Sequence, residues 1–131
     1  VGGLKNNQPW RIGIQNPRSG TEQLSVLEIE NCSAATSGDY NRFYFLDGKR
    51  VHHIIDPRTG KSAENCISVT VVAEKGIDAD ALSTAAFVAG PAQGRELLNS
   101  LGLKGLIVTA SGEIIQTDAW DFPLTVAHVE T

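Results

Sequence analysis

The sequence predicts an α+β domain with an antiparallel sheet and two consecutive helices on one of its faces. Three observations predict it. Apolar and β-branched runs bounded by turn residues lie before and after a helical stretch. An Asp-Gly pair joins two of the short runs as a hairpin. A Gly-Pro step divides the helical stretch, so that two helices follow one another with no strand between them. A chain of 131 residues suits a single domain.

In chain order, Trp10 to Gln15 (WRIGIQ) is the first strand, ended by Asn16-Pro17 and a turn-rich stretch. Leu24 to Ile29 reads as a half-buried strand. The small residues Cys32 to Gly38 follow. Phe43 to Leu46 and Lys49 to Val51 flank Asp47-Gly48, the pair that best tolerates the two positive φ angles of a type I′ turn. A two-residue loop pairs Leu46 with Lys49, Phe45 with Arg50, Tyr44 with Val51 and Phe43 with His52. Val51, His53 and Ile55 then share one face, and His52 and Ile54 the other.

Cys66 to Ala73 is β-branched and uncharged, which predicts a central buried strand. Asp78 to Ala89 predicts a helix with Asp78 as N-cap, Leu82, Ala85, Ala86 and Ala89 as its apolar side and Gly90 as its stop. Pro91 opens a second helix through Leu101, with Leu97, Leu98 and Leu101 buried. Gly105 to Thr109 and Glu113 to Thr117 close the chain as a hairpin.

The formal charge is −4, from 11 basic and 15 acidic residues, and no basic stripe is present, which argues against a nucleic-acid partner. The longest run without Asp, Glu, Lys or Arg, Ala81 to Gly94, falls short of the roughly 20 apolar residues that span a bilayer. No signal peptide is read at the start, since Lys5, Asn6 and Asn7 follow directly on Val1-Gly2-Gly3. Cys32 and Cys66 form one disulfide or none, and they make no CxxC motif.

Three segments carry candidate chemistry. In Ala35 to Tyr40 (ATSGDY), Ser37 and Gly38 allow backbone and hydroxyl groups close to a phosphate, although a plain turn has the same composition. His53, at a strand end before the rigid Asp56-Pro57 turn, is placed to accept a proton or touch a ligand; an ordinary exposed His is the rival reading. On a helix, Asp80 has hydroxyls at i+3 (Ser83) and i+4 (Thr84), an oxygen set suited to Mg²⁺. Acidic residues in a first helical turn also complement the macrodipole.

The segments WRIGIQNP (Trp10 to Pro17), ATSGDY, DGKRVHHIIDPRTG (Asp47 to Gly60), SVTVVA (Ser68 to Ala73) and DADALSTAAFVAG (Asp78 to Gly90) occur in this order. Together they resemble the C-terminal part of the FAD:protein FMN transferases, the family long labelled ApbE. The resemblance runs from about Trp10 to Thr125, and HIIDPRTG followed by ADALST is its most specific part. It implies a Mg²⁺-dependent enzyme that splits the pyrophosphate of FAD, joins FMN to a Ser or Thr hydroxyl of a target flavoprotein and releases AMP. The targets it implies are subunits of membrane redox complexes. It also implies an extracytoplasmic location, in a membrane-anchored lipoprotein, and a T-fold, duplicated in the complete enzyme.

Carried over by position, the resemblance implies that Asp80 and Thr84 are metal ligands. Ser83 stands where some members place a further Asp ligand, so Ser83→Asp is expected to tighten Mg²⁺ binding. His53 matches the active-site His, with Asp80 as the other catalytic residue. Ile55 matches a backbone contact to the flavin nucleotide, beside Ser37 and Gly38. Complete members are more than twice as long, so the chain is expected to need an N-terminal half as its partner. The alternative is a flavin-nucleotide- and Mg²⁺-binding half-domain with no turnover of its own.

Overall fold

A computed structural model describes all residues from Val1 to Thr131. Ten strands and two helices run in the order β1 (Trp10–Gln15), β2 (Gln23–Ile29), β3 (Ser33–Gly38), β4 (Phe43–Leu46), β5 (Lys49–His52), β6 (Ile55–Asp56), β7 (Lys61–Ser62), β8 (Cys66–Ala73), α1 (Gly76–Ala89), α2 (Pro91–Ser100), β9 (Lys104–Thr109) and β10 (Ile114–Gln116). The main sheet is antiparallel with strand order β10-β9-β8-β3, and β1–β2, β4–β5 and β6–β7 are separate antiparallel pairs. The α+β class with two consecutive helices on one face is the one the sequence predicts.

All eight residues of β8 are buried, because both faces of the sheet are covered. On one face Val69, Val71 and Ile107 pack with Ala86, Phe87 and Leu98 from the helices. On the other, Val72, Leu106 and Val108 meet Leu24, Leu27 and Ile29 of β2, with Trp120 and Val129 closing the layer. Phe87 and Leu98 are fully buried, and truncating either to Ala costs about 3 kcal/mol or more.

The β4–β5 hairpin has the register read from the sequence, with Phe43 opposite His52 and Leu46 opposite Lys49. Asp47 (φ 50°) and Gly48 (φ 76°) both take the left-handed conformation that this turn requires.

Other expectations are corrected. The turn reading of Ala35 to Tyr40 gives way to a strand over most of it: Ser33 to Gly38 pairs at the sheet edge with β8, from Ser33–Ala73 to Gly38–Ser68, and its small side chains fit beneath α1. Helix α1 begins at Gly76 with Lys75 as its N-cap, so Asp78 lies in the first turn and caps nothing. There it complements the helix dipole. Its buried residues are Ala79, Ser83, Ala86 and Phe87, so the expected apolar side is rotated, with Ala85 exposed. Both cysteines are free, Cys66 buried and Cys32 partly so.

Candidate functional site

Strand β3, helix α1 and the turn after β5 converge on one cavity of about 380 Å³. Ser37 and Gly38 come from β3, His53 from the turn after β5, Ile55 from the start of β6, and Asp80 and Thr84 from α1. Of the residues singled out in the sequence, only Ser83 lies outside the lining. Thr36, Asn41, Arg42 and Ile54 complete it and were missed. Asn41 and Arg42 adjoin ATSGDY, but nothing in a sequence shows which way a loop turns.

The floor of the cavity is a cluster of hydroxyls. Ser37 Oγ lies 2.8 Å from Ser83 Oγ and 2.9 Å from Thr84 Oγ1. Ser83 Oγ lies 2.9 Å and Thr84 Oγ1 3.2 Å from the Asp80 carbonyl oxygen. Three hydroxyls bring three protons to four contacts, so one contact always sets lone pair against lone pair. Such a cluster offers oxygen lone pairs to an added cation or donor. Ser83 is fully buried, and its hydroxyl is spent inside the cluster. Thr84 is exposed at the lining.

The Asp80 carboxylate is exposed and makes no ion pair. The chain has no group of three His, Cys, Asp or Glu side chains that could hold a metal. One carboxylate, a neighbouring hydroxyl and the proton-short cluster nevertheless fit a hard cation that keeps its waters and takes its remaining ligands from a phosphate.

His52 and His53 are neighbours in sequence with opposite environments. His52 is buried: its Nδ1 accepts the Ile54 amide (3.2 Å), which leaves Nε2–H to donate to the Ala63 carbonyl (2.7 Å). Its ring packs edge-on against Phe87, 5.6 Å between centroids. His53 is exposed and lines the cavity, on the side the hairpin register predicts.

His53 leads through β6 into a braced turn before β7. Asp56 is buried, and its carbonyl accepts the amides of Thr59 and Gly60. Arg58 grips the Asp56 carboxylate (2.8 Å) and donates to the Val88 carbonyl near the end of α1 (3.1 Å). The hydrogen bonds from the Arg58 side chain and then from its amide hold the Asp56 carboxyl below the usual carboxylate range. This turn, reached from His53 through β6, is therefore tied to the helix that carries Asp80 and Thr84.

The ATSGDY segment is fixed in a different way from that expected. A Cβ on Gly38 would meet the Tyr40 ring at 2.3 Å, so the missing side chain makes room for Tyr40. Burial, and then the nearby Asp39 carboxylate, push the Tyr40 hydroxyl pKa upward. Asp39 receives both Arg18 terminal nitrogens at 2.7 Å, a bidentate clamp from the turn after β1.

Known proteins resemble this chain in sequence and in fold. The ApbE family matches residues 1–110. The FAD:protein FMN transferase of Escherichia coli K12 is 38% identical over 126 residues, 89% of this chain and 36% of that protein. That of Treponema pallidum is 47% identical over 83 residues, 62% of this chain and 23% of that protein. The crystal structure of the ApbE protein of Thermotoga maritima superposes with a TM-score of 0.81 at 40% identity, covering 89% of this chain and 38% of that one. The chain thus spans little more than a third of the length of the Escherichia coli and Thermotoga maritima proteins. A fold shared at this identity, and a family match over most of the sequence, lead to one conclusion: the chain belongs to the ApbE family.

Proposed function

We propose that the chain supplies the metal- and histidine-bearing side of a flavin transferase that moves FMN from FAD to a Ser or Thr hydroxyl of a target protein. The observation that carries this reading is the convergence of His53, Asp80, Thr84 and Ser37 on one cavity, in a chain whose relatives are named FAD:protein FMN transferases. In the proposed reaction the acceptor hydroxyl oxygen attacks the FMN phosphorus. A new P–O bond forms, the P–O bond to the AMP phosphate breaks, and AMP leaves with that bond's electron pair. His53 takes the proton that the hydroxyl loses.

Asp80 and Thr84 would hold the divalent cation, with Mg²⁺ the best match to their oxygens. When bound, it neutralises charge on the diphosphate. Ser37 aligns the Thr84 hydroxyl through the cluster at the cavity floor. Ile54, buried in the cavity wall beside His53, and the Asp56–Arg58 clamp that follows hold the histidine segment in place, which serves a reaction that depends on positioning. The family resemblance further supports an acceptor in a membrane redox complex and a site of action outside the cytoplasmic membrane.

A second reading is favoured by length. Because the chain spans little more than a third of its relatives, the site is proposed to be completed by the remainder of a family enzyme. Alone, the chain then binds flavin nucleotide and Mg²⁺ without turnover. AMP release from FAD, measured with this chain alone and again with the remaining two thirds of a family enzyme added, separates the readings. Release only in the second case supports a half-site, and release in neither overturns the transferase.

A further inference from the structure

The cavity holds two opposite charges that do not pair with each other. Of the six arginines in the sequence, five reach a carboxylate: Arg11 reaches Glu28, Arg18 and Arg50 reach Asp39, Arg58 reaches Asp56 and Arg95 reaches Asp118. Arg42 reaches none, although it lines the same cavity as Asp80. It is the only Lys or Arg in that lining. A cavity with an unpaired carboxylate on one element and an unpaired guanidinium on another suits a ligand that brings both signs, such as a phosphate chain carrying a metal ion.

The loop that delivers Arg42 is anchored at its root. The Asp39 amide donates to the Ile67 carbonyl at 3.0 Å, and the Asp39 carboxylate is clamped by Arg18 at 2.7 Å. Arg50 adds a contact from its NH1 group to the Asp39 carbonyl at 3.4 Å, while its guanidinium lies 3.9 Å from the centre of the Phe43 ring. Asp39 on one side and Phe43 on the other therefore bracket Arg42 in a short braced segment. We propose that Arg42 binds a phosphate group of the ligand in this cavity, opposite Asp80. This rests on the flavin-transferase reading and deepens it by naming the residue that takes the anion.

The test uses inorganic pyrophosphate as probe, titrated calorimetrically into the 131-residue chain with and without Mg²⁺. Wild type, Arg42→Ala, Arg42→Lys and Lys61→Ala are compared, Lys61 being an exposed cation outside the cavity. Arg42→Ala should weaken pyrophosphate binding by about tenfold or more, the size of one charge-assisted hydrogen bond. Arg42→Lys should recover part of the loss, and Lys61→Ala should bind as wild type. Riboflavin, which has no phosphate, and Mg²⁺ alone should bind wild type and Arg42→Ala alike. Equal pyrophosphate affinity in wild type and Arg42→Ala, no binding to wild type, or an equal loss in Lys61→Ala overturns the proposal. If AMP release is found but Arg42→Ala binds pyrophosphate normally, the transferase reading stands and the role of Arg42 falls. If release is absent yet the affinity depends on Arg42, the reverse holds.

Discussion

The hydroxyl oxygens of Ser37 and Ser83 lie 2.8 Å apart and join the edge strand of the main sheet to the first helix beneath the cavity floor. Ser83 is fully buried there, so its oxygen serves packing between the two elements. Removing it leaves two hydroxyl protons for two contacts, so Ser83→Ala should change unfolding free energy by less than about 1 kcal/mol. Ser83→Asp places a carboxylate beside the Asp80 carbonyl and should destabilise by about 2 kcal/mol or more. Any tightening of Mg²⁺ must then come from a strained fold. Urea unfolding of both variants, with and without Mg²⁺, checks this, and a stable Ser83→Asp would overturn it.

The two histidines should separate stability from chemistry. His52→Ala removes a buried ring and two hydrogen bonds and should cost about 2–4 kcal/mol. His53→Ala, at an exposed position, should leave stability within about 0.5 kcal/mol. In a complete family enzyme carrying this segment, it should slow transfer by roughly 10²–10⁴. Thermal melts paired with AMP-release rates test both statements, and the opposite ranking would contradict the proposed role of His53.

Asp80 is exposed, so Asp80→Ala should fold as wild type while losing Mg²⁺-dependent FAD cleavage in the complete enzyme. Titrating Mg²⁺ against AMP release reads this directly. An unchanged Mg²⁺ dependence would leave Asp80 as a residue that only complements the helix dipole.

Acid should loosen the turn that follows β6, next to the His53 segment. The Asp56 carboxyl is held below its usual pKa by Arg58, so in acid the unfolded chain binds a proton that the folded chain still refuses. The stabilisation is therefore fully present above the usual carboxylate pKa of about 4 and is lost as pH falls through the lowered value. Melting temperature followed from pH 6 to pH 2 should fall less steeply in Asp56→Asn than in wild type. Parallel curves would contradict this.

Burial pushes the Cys66 thiol up to about 12, so no thiolate forms at ordinary pH. Iodoacetamide applied to the folded chain at pH 8 should label Cys32 and spare Cys66, and both should react in urea. Peptide mass spectrometry distinguishes the two sites.

Local patterns determined much of this protein. Asp47-Gly48 specifies a tight turn, the turn sets the register, and a side-chain period of two then sends His52 inward and His53 outward. The uncharged β-branched run from Cys66 to Ala73 specifies a strand covered on both faces. The spacing of Asp80 and Thr84 places them on one helical face, one turn apart.

Other features were settled only by partners distant in sequence. Ser33 to Gly38 has the composition of a turn, yet it is a strand because β8 offers its ladder and α1 fits over its small side chains. Ser83 reads as a ligand on its helix, but the helix is rotated to bury Ala79, Ser83, Ala86 and Phe87, which sends its hydroxyl to Ser37. Arg42 gives no local sign of its place, because whether an arginine is paired depends on carboxylates that folding brings near it. Backbone turns and side-chain periods act between neighbouring residues and can be read along the chain, whereas burial, pairing and charge balance depend on contacts that exist only once the sheet and helices have packed.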